Sequence, residues 1–435
     1  MDRTEIGLLG IALLVFLILL RTPIGIALIT VSFGGSWAIL GLKPAMGILT
    51  AVPFDLSSKW TLTSVPMFLL MGFICFHAGM TQGLFQAAQR WLSFLPGGLS
   101  VASVFGAAGF SAVTGSSVAC AAAMGRIAVP EMMRHKYDAT LATGTVAAAG
   151  TIGALIPPSI LLILYGVFAQ VPIPKLFIGG FGAGILTVVA YSVMIIARAK
   201  LHPDLAPPTT ERSTLGEKMA SLYETWPVIL LVIGVFGGLF AGIFTPTEAG
   251  AVGAFLAFVI ATGKRSLSWQ AVRDSSIETV QTTAVIFIIA IGASMLTKFL
   301  ALSGATQLIS DAILSVGAAD IVLLLAIAVL YLILGMFLEP LGAMLLTLPV
   351  LLPVLQASDM SLVWFGVVLV KFLEIGMITP PVGLNVFVIK GVVGNLATTT
   401  QIFRGVAWFL VADLVAVALL MAFPQIILFL PSLLE

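Results

Sequence analysis

Charge is what this sequence has least of. Only 9% of its 435 residues are Asp, Glu, Lys or Arg, while 60% are hydrophobic. A soluble domain carries about 25% charged residues. Several soluble domains of ordinary size would need far more polar surface than the chain owns, so a large water-exposed fold is excluded. Cysteine is scarce too. Cys75 and Cys120 both lie in apolar runs, which excludes a disulfide framework. Three scattered histidines, His77, His135 and His202, make no recognisable metal motif. With 20 basic and 19 acidic residues there is no basic stripe, and nothing points to nucleic acid. The N-terminal stretch lacks the charged region, short apolar core and small-residue cleavage site of an exported leader, so it reads as a retained first helix.

What is present is apolar sequence almost end to end. A spanning helix needs roughly 20 mostly apolar residues. Such segments are expected at 6–20, 24–40, from about 66 and at 175–197, and in the second half at 226–243, 249–262, 279–299, 320–337, 341–357, 362–378 and 402–423. Counting partial crossings gives ten to thirteen passages. The pieces at 44–60 and around Arg90 and Trp91 read as interfacial and amphipathic. Residues 100–130 are dense in Gly, Ala and Ser, which lets helices approach closely in lipid. The most polar stretch, 197–225, divides the chain into a first half (1–200), a linker (201–225) and a second half (226–435). Lys/Arg clusters at 126–136, 198–218 and 264–273 vote for a cytoplasmic location.

Inside this apolar background sit two double prolines. Pro157–Pro158 occurs in "GTIGALIPPSI" and Pro380–Pro381 in "TPPVGLNVFV". Proline cannot donate to a helical ladder and clashes with the preceding turn. The two are separated by 380 minus 157, or 223, residues, and Gly153/Gly376 and Pro130/Pro353 repeat at the same offset. Upstream of each lies an unusual element, "TGSSVA" at 114–119 and "GMFLEPLGAM" at 335–344. Duplicated halves with broken helices at matching places mark a secondary transporter. An unwound segment at membrane depth must turn its backbone groups to protein, a cavity or an ion. Its carbonyls suit a cation, and a half-helix N-terminus suits an anion. Gly115 permits a tight turn, and the hydroxyls of Ser116 and Ser117 suit either a carboxylate or a cation. Glu339 and Glu374 are acids at depth, with Lys371 three residues before Glu374 on the same helix face. Glu248, after Pro246, reads as a helix-start residue. Thr379 and Asn385 are candidates to line the second broken segment.

"SVPMFLLMG" at 64–72, "GSSVA" at 115–119, "GTIGALIPPSI" at 150–160, "PTEAGAVGA" at 246–254, "GMFLEP" at 335–340 and "TPPVGLNVFV" at 379–388 together closely resemble the large membrane subunit, DctM-like, of tripartite ATP-independent periplasmic (TRAP) transporters. The resemblance covers essentially the whole chain. It implies an all-α polytopic protein of two inverted repeats, with re-entrant hairpins, broken helices, a scaffold and a mobile elevator-type transport domain. It implies a bacterial inner-membrane importer of organic acids, driven by sodium and served by a periplasmic binding protein. A small four-helix membrane subunit is expected as a separate chain, and no organic cofactor is expected.

The first hairpin tip maps to 114–117 with its companion break at 153–158, and the second to Glu339–Pro340 with 376–383. The resemblance implies one sodium site at each pair, built mostly from backbone carbonyls around Gly115, Ser116, Gly153 and Pro157, and around Gly376, Thr379, Pro380 and Gly383. The carboxylate would sit between the tips, near Ser116, Ser117, Glu339, Thr379 and Asn385. Two departures stand out: Thr114 where the family often has serine, and Glu339 where aspartate is frequent. A self-sufficient carrier of similar fold, working without a binding protein, is the alternative. An enzyme is not expected, since no paired catalytic constellation is visible.

Overall fold

A computed structural model of the chain describes residues 2–207, 214–315, 320–358 and 360–433. The middle of the expected linker, 208–213, lies outside the described residues. The first half comprises α1 (Arg3–Leu19), α2 (Ile24–Leu40), α3 (Leu42–Ser57), α4 (Ser64–His77), α5 (Gln82–Leu92), α6 (Gly98–Thr114), α7 (Ser117–Arg134), α8 (Ala139–Gly150), α9 (Ile160–Ala169) and α10 (Ile173–Leu201). After α11 (Leu215–Glu224) come α12 (Trp226–Phe240), α13 (Pro246–Gly263), α14 (Trp269–Ser303), α15 (Ala305–Ser315), α16 (Asp320–Phe337), α17 (Pro340–Ala357), α18 (Leu362–Gly376), α19 (Leu384–Val393), α20 (Thr399–Ala422) and α21 (Gln425–Ser432).

The duplication read from two prolines governs nearly every element boundary. Arg3 and Trp226 start α1 and α12; Leu40 and Gly263 end α2 and α13; Gln82 and Ala305 start α5 and α15. Thr114 and Phe337 end α6 and α16, Ser117 and Pro340 start α7 and α17, and Ala139 and Leu362 start α8 and α18. Each pair is 223 apart, as in 337 minus 114. The caps repeat as well: Asp138 and Ser361 lead into α8 and α18 and accept from the first turn. One stretch departs. α3, a 3-10 turn (Trp60–Thr63) and α4 correspond to the single 35-residue α14. Pro53 lies inside α3 and Pro66 in the first turn of α4, where the second half has Ser276 and Ile289. Proline interrupts the one and its absence leaves the other continuous.

The expected helices all form. Among the described residues six are long and apolar enough to cross a membrane, or seven if the pair α11–α12, bent by 53°, is one span. The expected ten to thirteen passages also count shorter apolar helices such as α2, α6, α9, α16 and α19. Large apolar side chains point outward from several helices, among them Phe16, Ile233, Phe255, Val329 and Leu414. Water would penalise such a surface, whereas a hydrocarbon solvent does not.

Inside, α2 packs along α14 and α4 along α13, while α8 lies against α20 and α10 against α18, α20 and α21. The α8–α20 crossing is close because both partners are glycine. A Cβ on Gly405 would lie 2.0 Å from the Thr140 carbonyl, and one on Gly144 would lie 2.5 Å from Gly405. α18 is buried from Trp364 to Gly376. Its Lys371 donates to Asp413 of α20 at 2.5 Å, both side chains being 0% exposed. The Tyr191 hydroxyl of α10 lies 2.8 Å from each Asp413 oxygen, and the Lys371 ammonium lies 5.6 Å from the Tyr191 ring centre. The sequence set Lys371 beside Glu374, but the ion pair forms with Asp413. A residue 42 positions away is invisible to a helix-spacing argument.

Leaving one charge of a buried pair uncompensated costs about 3–5 kcal/mol. Asp413→Ala is therefore expected to lower the thermal midpoint of the detergent-solubilised protein steeply, while Asp55→Ala, at an exposed position, leaves it nearly unchanged.

Candidate functional site

α6 and α7 form a hairpin with two residues between them. Gly115 turns the chain at φ +61, and Ser116 is extended, its hydroxyl accepting from the Ala119 amide at 3.4 Å. The tip is seated in a broken helix. α8 stops at Gly150, continues as a 3-10 turn (Thr151–Ala154), passes Pro157–Pro158 through a cis bond and resumes as α9. Every residue from 151 to 159 is buried. Ser159 caps α9 by accepting from the Leu162 amide at 3.3 Å. Glycine is required on both sides of this contact. A Cβ on Gly115 would lie 2.0 Å from the Pro158 carbonyl, and one on Gly153 would lie 2.9 Å from the Ser116 carbonyl and the Ser117 amide.

The second repeat builds the same parts with a different fit. α16 and α17 meet at Leu338–Glu339, with Glu339 in the capping position but making no side-chain cap. α18 stops at Gly376. The amides of Ile378 and Thr379 bond back to the Ile375 and Gly376 carbonyls, and the Thr379 hydroxyl donates to the Ile375 carbonyl at 2.7 Å. After the cis Pro380–Pro381 bond, Gly383 turns at φ +59 into α19, and the Asn385 amide reaches back to the Met377 carbonyl at 3.0 Å. Gly376 packs on Gly335 in the arm of the hairpin, with a built Cβ only 2.6 Å from the Gly335 Cα. Pro380 and Pro381 are exposed, unlike their buried counterparts.

Between the hairpins lies a cavity of ≈ 290 Å³. Ser116, Ser117 and Val118 at the start of α7 line it, as do Glu339, Pro340 and Leu341 at the start of α17. Ala154 comes from the first break, Glu374 and Met377 from the second, and Thr282, Val285 and Ile286 from α14. Two helix N-termini thus meet one chamber, each carrying about half a unit of positive charge and free amides. Two carboxylates share it. Glu374 is 1% exposed, and neither of its oxygens has a hydrogen-bond partner among the described residues. The buried Ser117 hydroxyl also lacks one and faces that carboxylate without reaching bonding geometry.

A larger chamber of ≈ 440 Å³ shares Ser116, Val118, Ile160 and Thr282 with the first. It contains Arg126 and a His77–Glu278 contact of 3.3 Å. A third, ≈ 490 Å³, follows α17 and holds Lys59 and Lys298.

Of the expected site residues, Gly115, Ser116, Ser117 and Glu339 come together around the cavity. Gly153 and Pro157 sit in the first break and Gly376, Thr379, Pro380 and Gly383 in the second, outside the cavity lining. Asn385 is fully buried; its Nδ2 donates to the Ala147 carbonyl at 3.3 Å, and its Oδ1 has no partner. Glu248 is structural, closing a capping box with Thr245. Sequence reading passed over Thr282, whose helix gave no sign of facing the breaks. The signal was there in the repeat: Thr282 is the counterpart of Lys59, beside the broken α3–α4 joint.

Residues 11–426 match the family described as "Tripartite ATP-independent periplasmic transporter, DctM component". The chain is 34% identical to the sialic acid TRAP transporter large permease protein SiaM of Vibrio cholerae, over 94% of this chain and 95% of that one. It is 33% identical to the C4-dicarboxylate TRAP transporter large permease protein DctM of Pseudomonas aeruginosa, over 90% and 93%. It is also 33% identical to the sialic acid TRAP transporter permease protein SiaT of Haemophilus influenzae, over 86% of this chain but 60% of that longer one. Among solved structures, the Alcanivorax borkumensis YdaH transporter superposes with a TM-score of 0.61 at 14% identity, over 88% and 90% of the two chains. Neisseria gonorrhoeae MtrF gives 0.59 at 15%, over 88% and 85%. These establish the fold: an all-α polytopic bundle of the inverted-repeat elevator type.

Overpacking a tight contact costs about 1–3 kcal/mol, and a left-handed non-glycine residue adds about 1–2 kcal/mol. Gly115→Ala is expected to lower the thermal midpoint more than Gly153→Ala. Gly47→Ala, with nothing within 4 Å of the new Cβ, should leave it unchanged or raise it.

Proposed function

Since the chain belongs to the DctM component family of the tripartite ATP-independent periplasmic transporters, we propose that it imports a small organic carboxylate together with sodium ions. Its own part in the system is membrane translocation, from a multi-pass position in the inner membrane. The carrying observation is the acid-lined cavity between two helix N-termini. The α7 and α17 amides and the Ser116 and Ser117 hydroxyls offer an anion its donors. Glu339 and Glu374 repel it. A carboxylate entering beside two acids is favoured when cations enter with it, which is the electrostatic basis for coupling.

The broken helices supply places for those cations. Carbonyls around Gly115, Ser116, Gly153 and Pro157 serve one ion, and those around Gly376, Thr379, Pro380 and Gly383 serve another, with the unpartnered Asn385 Oδ1 beside the second. The hairpins and broken helices of the two halves, flanking the linker at 201–225, move as the transport domain against a scaffold that includes α2, α4, α13 and α14. Arg126, exposed in the ≈ 440 Å³ chamber, belongs to a basic cluster on the cytoplasmic side, so that chamber is the cytoplasmic exit. A separate four-helix subunit and a periplasmic binding protein complete the system. Relatives named for sialic acid and C4-dicarboxylates support a carboxylate substrate.

Uptake into proteoliposomes holding this chain and the small subunit, with the binding protein added outside, tests the proposal. An inward sodium gradient is expected to drive carboxylate accumulation, and collapsing that gradient to stop it. Accumulation indifferent to sodium overturns the coupling. Equal uptake without the binding protein makes the chain a self-sufficient carrier instead.

A further inference from the structure

We propose that Glu374 and Ser117 form a side-chain sodium site that joins the second repeat to the first. The proposal rests on the sodium-coupled reading above and extends it to named side chains. The Glu374 carboxylate is 1% exposed with both oxygens unpartnered, and it lines the ≈ 290 Å³ cavity. The Ser117 hydroxyl facing it is buried and unpartnered as well. A buried carboxylate left without partners is costly, so such groups are paired, hold an ion or take up a proton.

Among the described residues the protein does not supply the missing cation. Lys371, one turn earlier on α18, is bonded to Asp413, and Asp413 also receives the Tyr191 hydroxyl. The other charged side chain in the cavity lining is Glu339, and the lining holds no Lys, Arg or His. Cys120, one turn further along α7, is a buried thiol turned to α6, where it accepts from the Ser111 hydroxyl and donates to the Ala107 carbonyl. The α7 N-terminus contributes only about half a charge.

The proposed partner is a mobile cation that enters from the cavity. Among the described residues no three His, Cys, Asp or Glu side chains gather in a cluster, so a divalent ion lacks its usual set of carboxylates. One carboxylate and one hydroxyl, completed by water or by a substrate oxygen, match a monovalent ion. This ion would neutralise Glu374 and lift its repulsion of the incoming carboxylate. The order of events follows: sodium binds first, and substrate binds to the neutralised site.

The test is sodium binding by the purified chain without substrate, read as 22Na+ binding and as sodium-dependent thermal stabilisation. The wild type is compared with Glu374→Gln, Glu374→Asp and Ser117→Ala. Glu374→Gln is expected to lower the number of bound ions by one or to weaken apparent sodium affinity at least tenfold. Glu374→Asp should retain binding, and Ser117→Ala should weaken it several-fold. Unchanged number and affinity in Glu374→Gln overturn the proposal while leaving sodium coupling intact. If Glu374→Gln does not yield monodisperse protein, Ser117→Ala decides, and unaltered binding there overturns it. A wild type that binds no sodium overturns the coupled reading and this site together. Stabilisation of the wild type by acid in place of sodium assigns the position to a proton and overturns the sodium assignment.

Discussion

A helix interrupted at membrane depth frees backbone groups that lipid cannot satisfy, and this chain has two such interruptions. The structure answers by seating each break against a hairpin. In the first, Gly115 and Gly153 bring the tip and the unwound segment into backbone contact, and nothing from 151 to 159 is exposed. In the second, Gly376 meets Gly335, and the Asn385 amide bridges back to Met377. The rest of the fold serves to hold these four pieces. α18 carries the second break on a helix buried along its length, anchored by the Lys371–Asp413 pair and by the Trp364 indole bonded to the Leu420 carbonyl. Tyr165 ties α9 to the start of α18 by donating to the Leu362 carbonyl at 2.8 Å.

Duplication explains the plan, and its imperfections explain the function. An ideal repeat would place identical walls on both sides of the cavity. Here the first half breaks its scaffold helix at Pro53 and Pro66, while the second half runs α14 unbroken and lends Thr282, Val285 and Ile286 to the chamber. The first break is buried and the second partly exposed. The first hairpin brings two serine hydroxyls to the chamber and the second a carboxylate. Two equal half-sites would offer an anion and a cation the same chemistry, whereas these two offer them different chemistry.

Much of this was legible in the sequence. Proline and glycine act locally, so Pro157–Pro158, Pro380–Pro381, Gly115 and Gly383 announced the breaks before any packing was known, and the offset of 223 aligned them. Capping is local too, which is why Glu248 read correctly as structural. Contacts between distant segments were not legible. Lys371 has an acid three residues away on its own helix, yet its partner is Asp413, an ordinary acid in an apolar run. Glu374 was visible as a charge at depth, but only the packing shows both oxygens unpartnered. Asn385 lay in a recognisable motif, but its burial against α8 depends on the α8–α19 seam. Periodicity cannot report a seam between helices more than 200 residues apart.

The central claim is that substrate and ions meet between the two hairpins. A cryo-electron-microscopy structure of the chain with its small subunit, in sodium and a transported carboxylate, tests it most directly. The account predicts carboxylate density in the ≈ 290 Å³ cavity, against the N-termini beginning at Ser117 and Pro340, with ion density beside the breaks. Substrate density in the ≈ 490 Å³ chamber, held by Lys59 and Lys298 with the hairpin cavity empty, would contradict it.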